Sequence, residues 1–379
     1  MAALGTLLAA AALGYAITAW LALRLWLNSG AQRRLGSGAA SLPRPVTVLK
    51  PLCGAEPGLD YSLRSFCEQD YAGTVQIVFG VQHPADPALA VLERLKRDYP
   101  RLDLTVVVDP TRHGASAKVS NLINMMRAAR YDWLVLADSD VRVPAGYLAA
   151  VAAPLADPTV GIVTCPYRGV PRPGLWSLLG ALFINDWFIP SVRVAALFGS
   201  RAFAFGATIA LRREALDAIG GFRAIADQLA DDYRLGELTR RRGLRTVLSD
   251  VVVDTSVDER TFRHLAQHGL RWLRTIRVVR PTGYALSAIT FSLPVALIGC
   301  ALAGGAPVTL ALLAATLLLR LLLHSSAQTS ARSWSQLWAV PLADALGFAL
   351  WCGAFVKREV QWRQGRYRVA RDGSVQPIS

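Results

Sequence analysis

Apolar positions in this chain follow two regimes. Between about residues 45 and 280 they form short runs separated by polar stretches, and outside that window they form long runs. The short runs, rich in β-branched residues, cover 46–52, 75–81, 104–108, 133–137 and 160–164. Between them the spacing changes. Leu89, Leu92, Leu95 and Tyr99 recur at three and four residues across 86–99, and Val119, Leu122, Ile123 and Met126 do so across 117–129. That repeat predicts amphipathic helices. Strands alternating with helices predict an α/β domain whose mainly parallel sheet is covered on both faces.

The long runs predict membrane segments. Residues 4–26 are apolar except for Arg24, long enough to span a bilayer. No basic leader or small-residue cleavage motif accompanies this stretch, so we read it as a retained anchor. Arg24, Arg33, Arg34 and Arg44 flank it on one side, which predicts a cytoplasmic middle region. Three more apolar stretches lie at 284–303, 306–323 and 337–355, and a strongly basic tail starts at Lys357. One anchor and three spans would put that tail outside, whereas its charge favours the inside. The charge predicts that one stretch is re-entrant or interfacial, and 337–355, with Pro341 and Asp344, is the weakest span. The expected organisation is therefore an anchor (1–27), a Gly/Ser/Ala-rich linker (28–44), a cytoplasmic domain (45–282), membrane segments (283–356) and the tail (357–379). Near 262–280, Arg, Leu and Trp alternate as in a helix lying in a membrane interface.

Composition narrows the choice of partners. The 379 residues are 53% hydrophobic, and a formal net charge of +14 accompanies this many membrane segments. Anionic lipid and a phosphorylated substrate fit that balance better than nucleic acid does. The five cysteines are scattered without a C-x-x-C pair, so neither a zinc site nor a disulfide framework is expected. The Ala- and Arg-rich composition suggests a bacterial inner membrane.

In a doubly wound sheet the ligand sits beyond the carboxyl ends of the strands. Asp86 follows the 75–81 run, Lys118 opens a helix after the 104–108 run, and Asp138-Ser139-Asp140 follows Trp133 to Ala137. Read as a continuation of the strand, Asp138 and Asp140 would point the same way and suit a hard divalent cation carrying a diphosphate. Taken singly, the D-x-D reads first as a polar turn, Asp86 as a helix cap and Lys118 as a solvated lysine.

Further motifs lie at Asp232-Tyr233 and Arg271-Trp272. Together with Leu49-Lys50-Pro51-Leu52, Gln82, Asp86-Pro87-Ala88, Lys118, Asn121-Leu122, Asp138-Ser139, Val141-Arg142-Val143 and the tail Trp362-Arg363-Gln364-Gly365-Arg366-Tyr367-Arg368, they form an ordered set. That set resembles the inverting, sugar-nucleotide-dependent membrane glycosyltransferases with a D, D-x-D, D, (Q/R)-x-x-R-W pattern. The likeness is greatest to the ceramide glucosyltransferase group and its bacterial hopanoid-linked relatives. His268 departs from the pattern, standing where the family has Gln or Arg.

The resemblance implies a GT-A domain and a single displacement at the anomeric carbon of a UDP-sugar. It implies Mg²⁺ or Mn²⁺ on Asp140 and Asp138, Asp86 and Lys118 at the nucleotide, and Arg271 at a phosphate. It further implies Asp232 as general base, Trp272 at the acceptor mouth, and His268 as the remaining motif residue. The acceptor would be a membrane lipid, ceramide with glucose or a hopanoid polyol with N-acetylglucosamine. The apolar stretch 175–198, with Trp176, Phe183, Trp187 and Phe188, would give it a greasy approach. A processive polysaccharide synthase shares these motifs but needs a polymer channel. A non-catalytic membrane scaffold would not need Asp140, Asp232 and Arg271 together.

Overall fold

The computed structural model describes residues 1–29, 43–201, 203–327, 331–356, 359–362, 365–369 and 374–377. Most of the expected linker, including Arg33 and Arg34, and Arg363 and Gln364 of the tail lie outside the described residues. The chain forms two compact units. One comprises Ala31–Tyr167 and Arg201–Ser256, the other Met1–Gly30, Arg168–Ser200 and Val257–Ser379.

The first unit is built on strands β1 (Val46–Pro51), β2 (Val75–Val81), β3 (Asp103–Val108), β4 (Trp133–Ala137), β5 (Val141–Arg142) and β6 (Val160–Thr164). After β7 (Tyr167–Pro171), where the chain leaves this unit, come β8 (Thr208–Arg212), β9 (Arg245–Leu248) and β10 (Val253–Val257). Seven strands form one sheet in the order β3-β2-β1-β4-β8-β6-β9. The first four are mutually parallel, β8 runs antiparallel to both β4 and β6, and β9 is parallel to β6. The sheet is thus mainly parallel with one reversed strand, a GT-A-like arrangement, and β8 has no counterpart in the expectation from sequence.

The two-residue repeat of a strand divides the apolar residues between two cores. Val48, Ile77, Phe79 and Val135 pack on one face with Leu63, Phe66 and Leu95, whereas Leu49, Val78, Leu134 and Leu136 pack on the other with Leu122 and Met125. Helices Leu59–Cys67 and Ala88–Asp98 cover the first face and Ala117–Met126 the second, each presenting its apolar stripe inward. The parallel register pairs Pro51 with Gly80 and Val81 with Val108, so the three strands end at one edge, the edge that carries the polar residues following each strand.

The second unit is helical. Among the described residues, three of its helices are long and apolar enough to cross a membrane: Ala2–Asn28, Leu175–Leu197 and Pro307–Ala327. Pro281–Thr290 and Ser292–Leu302 form a pair bent by 73° that would make a fourth if counted as one span. The break falls at Phe291, whose backbone is non-helical (φ −87°, ψ 61°), just before Pro294 in the following first turn. Expected stretch 284–303 is therefore two short helices. Stretch 337–355 holds Val340–Gly353, whose 14 residues extend about 21 Å at 1.5 Å each, short of a bilayer core.

Small residues bring the first helix close to its neighbours. Gly5, Ala9, Ala12, Ala16 and Ala19 recur every three or four residues and are buried. A Cβ added at Gly5 would lie 2.4 Å from the Gly299 carbonyl oxygen, so these backbones are in direct contact. The tail forms an antiparallel sheet of β11 (Glu359–Trp362), β12 (Gly365–Val369) and β13 (Val375–Pro377), and β11 runs beside helix Phe262–Val279.

Candidate active site

The site in the sheet-containing unit grows from the carboxyl end of β4. Strand geometry stops at Ala137, and Asp138-Ser139-Asp140 forms a turn into β5. Strand alternation therefore does not set the direction of the two carboxylates, because the residues are not in a strand. They differ in their partners. Asp138 Oδ1 lies 2.6 Å from Lys118 Nζ, and Asp140 Oδ2 accepts a 2.5 Å hydrogen bond from Thr255 Oγ1 on β10. The carboxylates still feel each other, since Asp140 helps raise the pKa of Asp138, an effect led by burial and opposed by Lys118.

Lys118 stands in the first turn of helix Ala117–Met126, capped by Ser116, whose Oγ accepts the Val119 N–H at 3.2 Å. Its ammonium also lies 3.6 Å from Asp231 Oδ2. Burial opposes that charge, but Asp138, Asp231 and Asp232 outweigh it and hold the group protonated well above its ordinary range. The Lys118 and Asp138 side chains remain 27% and 35% exposed, so part of each faces solvent.

Asp231 and Asp232 open helix Asp231–Arg241. Asp232 accepts the N–H of Gly206 on Oδ2 and of Tyr233 on Oδ1, each at 2.7 Å. Burial and the neighbouring Asp231 carboxylate push its pKa up to about 6, against the pull of Lys118 and the two amides. A cavity of about 10 Å³, room for about one water, lies against Lys118, Gly206, Asp231 and Asp232. The loops before the two helices are tied together: Ala115 N–H donates to Asp227 Oδ1 at 2.8 Å and Ser116 N–H to the Ala226 carbonyl at 2.9 Å. Lysine and carboxylate pair thus keep a fixed relation.

Asp86 sits apart from this cluster at the end of β2. Its oxygens accept the Gly54 N–H at 3.0 and 3.1 Å and the Ala88 N–H at 2.9 Å. It therefore satisfies the first amide of helix Ala88–Asp98 and fastens the loop after β1, where Gly54 adopts φ +81°, a conformation suited to glycine.

His268, Arg271 and Trp272 belong to the helical unit, on helix Phe262–Val279. His268 Nδ1 lies 2.6 Å from Glu259 Oε1, close enough for a hydrogen bond. Trp272 packs in an aromatic cluster, with ring centroids 5.5, 5.9 and 5.4 Å from Phe183, Trp187 and Phe188. These three residues belong to the apolar stretch noted in the sequence.

Two further residues contribute that the sequence pattern does not single out, Asp231 and Lys50. Asp231 was visible as a second acid beside Asp232. Lys50 ends an apolar strand, a position at which a lysine is unusual. It is fully buried, donates to the Asp138 carbonyl at 2.5 Å and lies 4.0 Å from the Phe66 ring centre. Burial lowers its pKa to about 7, although Asp140, Asp138 and Glu56 draw it upward.

Among the described residues no group of three or more His, Cys, Asp or Glu forms a site that could hold a metal by itself. The donor set at 138 and 140 nevertheless fits Mg²⁺ or Mn²⁺. Such ions commonly take one or two carboxylates and complete their shell with substrate phosphates and water. Asp138 already holds one cation, the Lys118 ammonium.

Glycosyl transferase family 21 matches residues 5–375, nearly the whole chain. The chain belongs to glycosyl transferase family 21. It is 25% identical over 206 residues to ceramide glucosyltransferase 1 of Caenorhabditis elegans, covering 54% of this chain and 44% of the relative. It is 35% identical over 107 residues to the ceramide glucosyltransferase of Komagataella phaffii, covering 27% and 21%. The chain thus spans less than half the length of these curated relatives. Among solved structures, the mannosyltransferase PcManGT of Pyrobaculum calidifontis, in complex with GDP-Man and Mn²⁺, matches with a TM-score of 0.50 and 26% identity. That match covers 90% of this chain and 99% of the mannosyltransferase.

Proposed function

We propose that this family 21 member transfers a single hexose from a UDP-sugar to a hydroxyl of a membrane lipid, with inversion at the anomeric carbon. The observation that carries the reading is Lys118 held between Asp138 of the D-x-D turn and Asp231 beside Asp232. One cation and two acidic groups lie together at the sheet edge, as displacement of a nucleotide diphosphate by an alcohol demands. Ceramide glucosyltransferases among the relatives, and membrane-length helices in this chain, support a lipid acceptor.

Asp232 removes the proton of the attacking hydroxyl. A carboxylate with a pKa of about 6 is a stronger base than an exposed aspartate and is still largely ionised at neutral pH. Lys118 neutralises the departing diphosphate, a role that the family pattern also gives Arg271. Asp140 and Asp138 would hold Mg²⁺ or Mn²⁺, which would supply further charge neutralisation at that diphosphate. Asp86 orders the loop after β1 around the nucleotide, and Trp272 lines the acceptor approach with His268 nearby on the same helix. Glucose on ceramide and N-acetylglucosamine on a hopanoid polyol are the two leading pairs. The sheet-containing unit would face the cytoplasm of a bacterial inner membrane.

The test is purified protein with labelled UDP-glucose or UDP-N-acetylglucosamine and either lipid. A lipid carrying one sugar is expected. A polymer would instead support a processive synthase, and background release alone would support a scaffold.

A further inference from the structure

Four ionisable side chains with no part in the proposed chemistry meet inside the helical unit. Arg320 and His324 lie one turn apart on helix Pro307–Ala327 and face the same way. Arg320 Nε and Nη2 donate to the two oxygens of Asp344, at 2.7 and 2.5 Å, and Nη1 donates to the Asp186 carbonyl at 2.8 Å. His324 Nδ1 lies 2.8 Å from Asp186 Oδ2. All four side chains are at most 8% exposed. Charged groups inside membrane helices are costly and tend to be kept for function. A buried ion pair is also weak evidence for stability, because apolar residues of similar volume often serve as well. Here the set is not fully satisfied, as Asp186 Oδ1 is buried without a hydrogen bond.

What the network holds is one turn. Asp186 belongs to the π-helical segment Phe183–Phe188, a wide turn within Leu175–Leu197. Other contacts converge on that turn. Trp187 Nε1 donates to Thr290 Oγ1 at 2.8 Å, and Ser191 Oγ donates to the Trp187 carbonyl at 2.7 Å while meeting Tyr15 of the first helix at 3.1 Å. One helical turn from Asp344, a Cβ added at Gly347 would come within 3.1 Å of the Phe183 and Phe291 rings. The side chains of the turn are the same Phe183, Trp187 and Phe188 that surround Trp272. Phe183 and Trp187 stack with centroids 4.6 Å apart, and both present ring edges or faces at near right angles to the Trp272 indole.

We propose that Arg320, Asp344, His324 and Asp186 are positioning residues that fix the Phe183–Phe188 turn, and through it Trp272, for recognition of the lipid acceptor. The proposal rests on the reading above that Trp272 serves the acceptor. It assigns the network to the acceptor because the turn it holds meets Trp272 through Phe183, Trp187 and Phe188.

The experiment compares wild type with Asp186→Asn and Thr290→Val in detergent, below the melting temperature of each. Two reactions are followed: transfer to the lipid, and UDP release to water without lipid. Asp186→Asn removes the charge opposite His324, and Thr290→Val removes the indole contact while leaving the ionic network intact. In both, the acceptor KM should rise, by roughly tenfold for Asp186→Asn, with the UDP-sugar KM and lipid-free UDP release within about twofold of wild type. A folded variant with an unchanged acceptor KM, or one in which transfer and lipid-free release fall in proportion, overturns the proposal. If Asp186→Asn does not fold, His324→Gln, which removes the imidazole facing Asp186, decides by the same split. Wild-type protein that makes no glycolipid defeats the functional reading itself. An active wild type with variants of unchanged acceptor KM defeats only the positioning role.

Discussion

Lys118 and Asp138 form an ion pair of 2.6 Å between the first turn of a helix and the turn that follows β4. The same ammonium reaches Asp231 at 3.6 Å, so one lysine links the D-x-D turn to the acidic pair. Removing it takes away the ammonium that pairs with Asp138 and Asp231 and lies among three carboxylates. We expect Lys118→Met to raise the UDP-sugar KM by about tenfold or more, the scale of one lost charge-assisted contact to a phosphate. Isothermal titration with UDP, with and without Mn²⁺, checks this. Unchanged UDP affinity would remove Lys118 from the donor site.

Asp232→Asn should cut transfer by on the order of 10²–10⁴-fold, because the amide cannot take the acceptor's proton. UDP affinity should stay near wild type, since the reading places Asp232 at the acceptor. Turnover close to wild type in the purified variant would exclude Asp232 as the base.

The pH profile follows from the same carboxylate. A base with a pKa of about 6 is protonated and inactive below that value, so kcat/KM should rise with pH through about 6 and then level. Lys118 pulls that pKa down, so Lys118→Met should move the midpoint upward. A profile flat between pH 5 and 8 would contradict both parts.

Metal removal should abolish transfer. Asp140→Ala should weaken donor binding and turnover together, because the diphosphate charge loses a counter-ion. Thr255→Val, which removes the hydroxyl donating to Asp140, should do the same to a smaller degree. Activity assays in EDTA with Mg²⁺ or Mn²⁺ restored check this, and full turnover in excess EDTA would refute the metal role.

Packing of the first helix gives a stability prediction. A Cβ at Gly299 would lie 2.6 Å from the Gly5 carbonyl oxygen and 2.8 Å from the Ala9 nitrogen, both backbone atoms that cannot swing aside. Gly299→Leu should lower the melting temperature in detergent, at a cost of about 1–3 kcal/mol or more. Gly14 on the first helix has nothing within 4 Å of an added Cβ, so Gly14→Ala should leave stability equal or slightly higher.

Local pattern was enough for much of this protein. Runs such as Val75–Val81, Trp133–Ala137 and Val160–Thr164 stand out because each strand is buried on both faces and is nearly continuous in apolar residues. The polar residues that follow them mark the functional edge, because the parallel strands end at the same side. The family resemblance was likewise legible, as it rests on residue types in order.

Other features depend on partners distant in sequence. Nothing local in Thr208–Arg212 states that it will insert, reversed, between β4 and β6; that pairing is decided by the open edge of β4. Lys50 reads as the polar end of a strand, yet the Asp138 carbonyl 88 residues later and the Phe66 ring determine that its ammonium is buried. Asp232 and Asp86 look alike in sequence. Both accept backbone amides, but Asp232 is enclosed beside Asp231 and raised to about 6, whereas Asp86 fastens the loop after β1. Asp344 marks a poor membrane span by itself, and only Arg320, 24 residues earlier on another helix, supplies its counter-charge. Periodicity and strand-end position are properties of neighbours along the chain. Burial, ion pairing and the direction of an inserted strand are properties of neighbours in space, and folding alone brings those together.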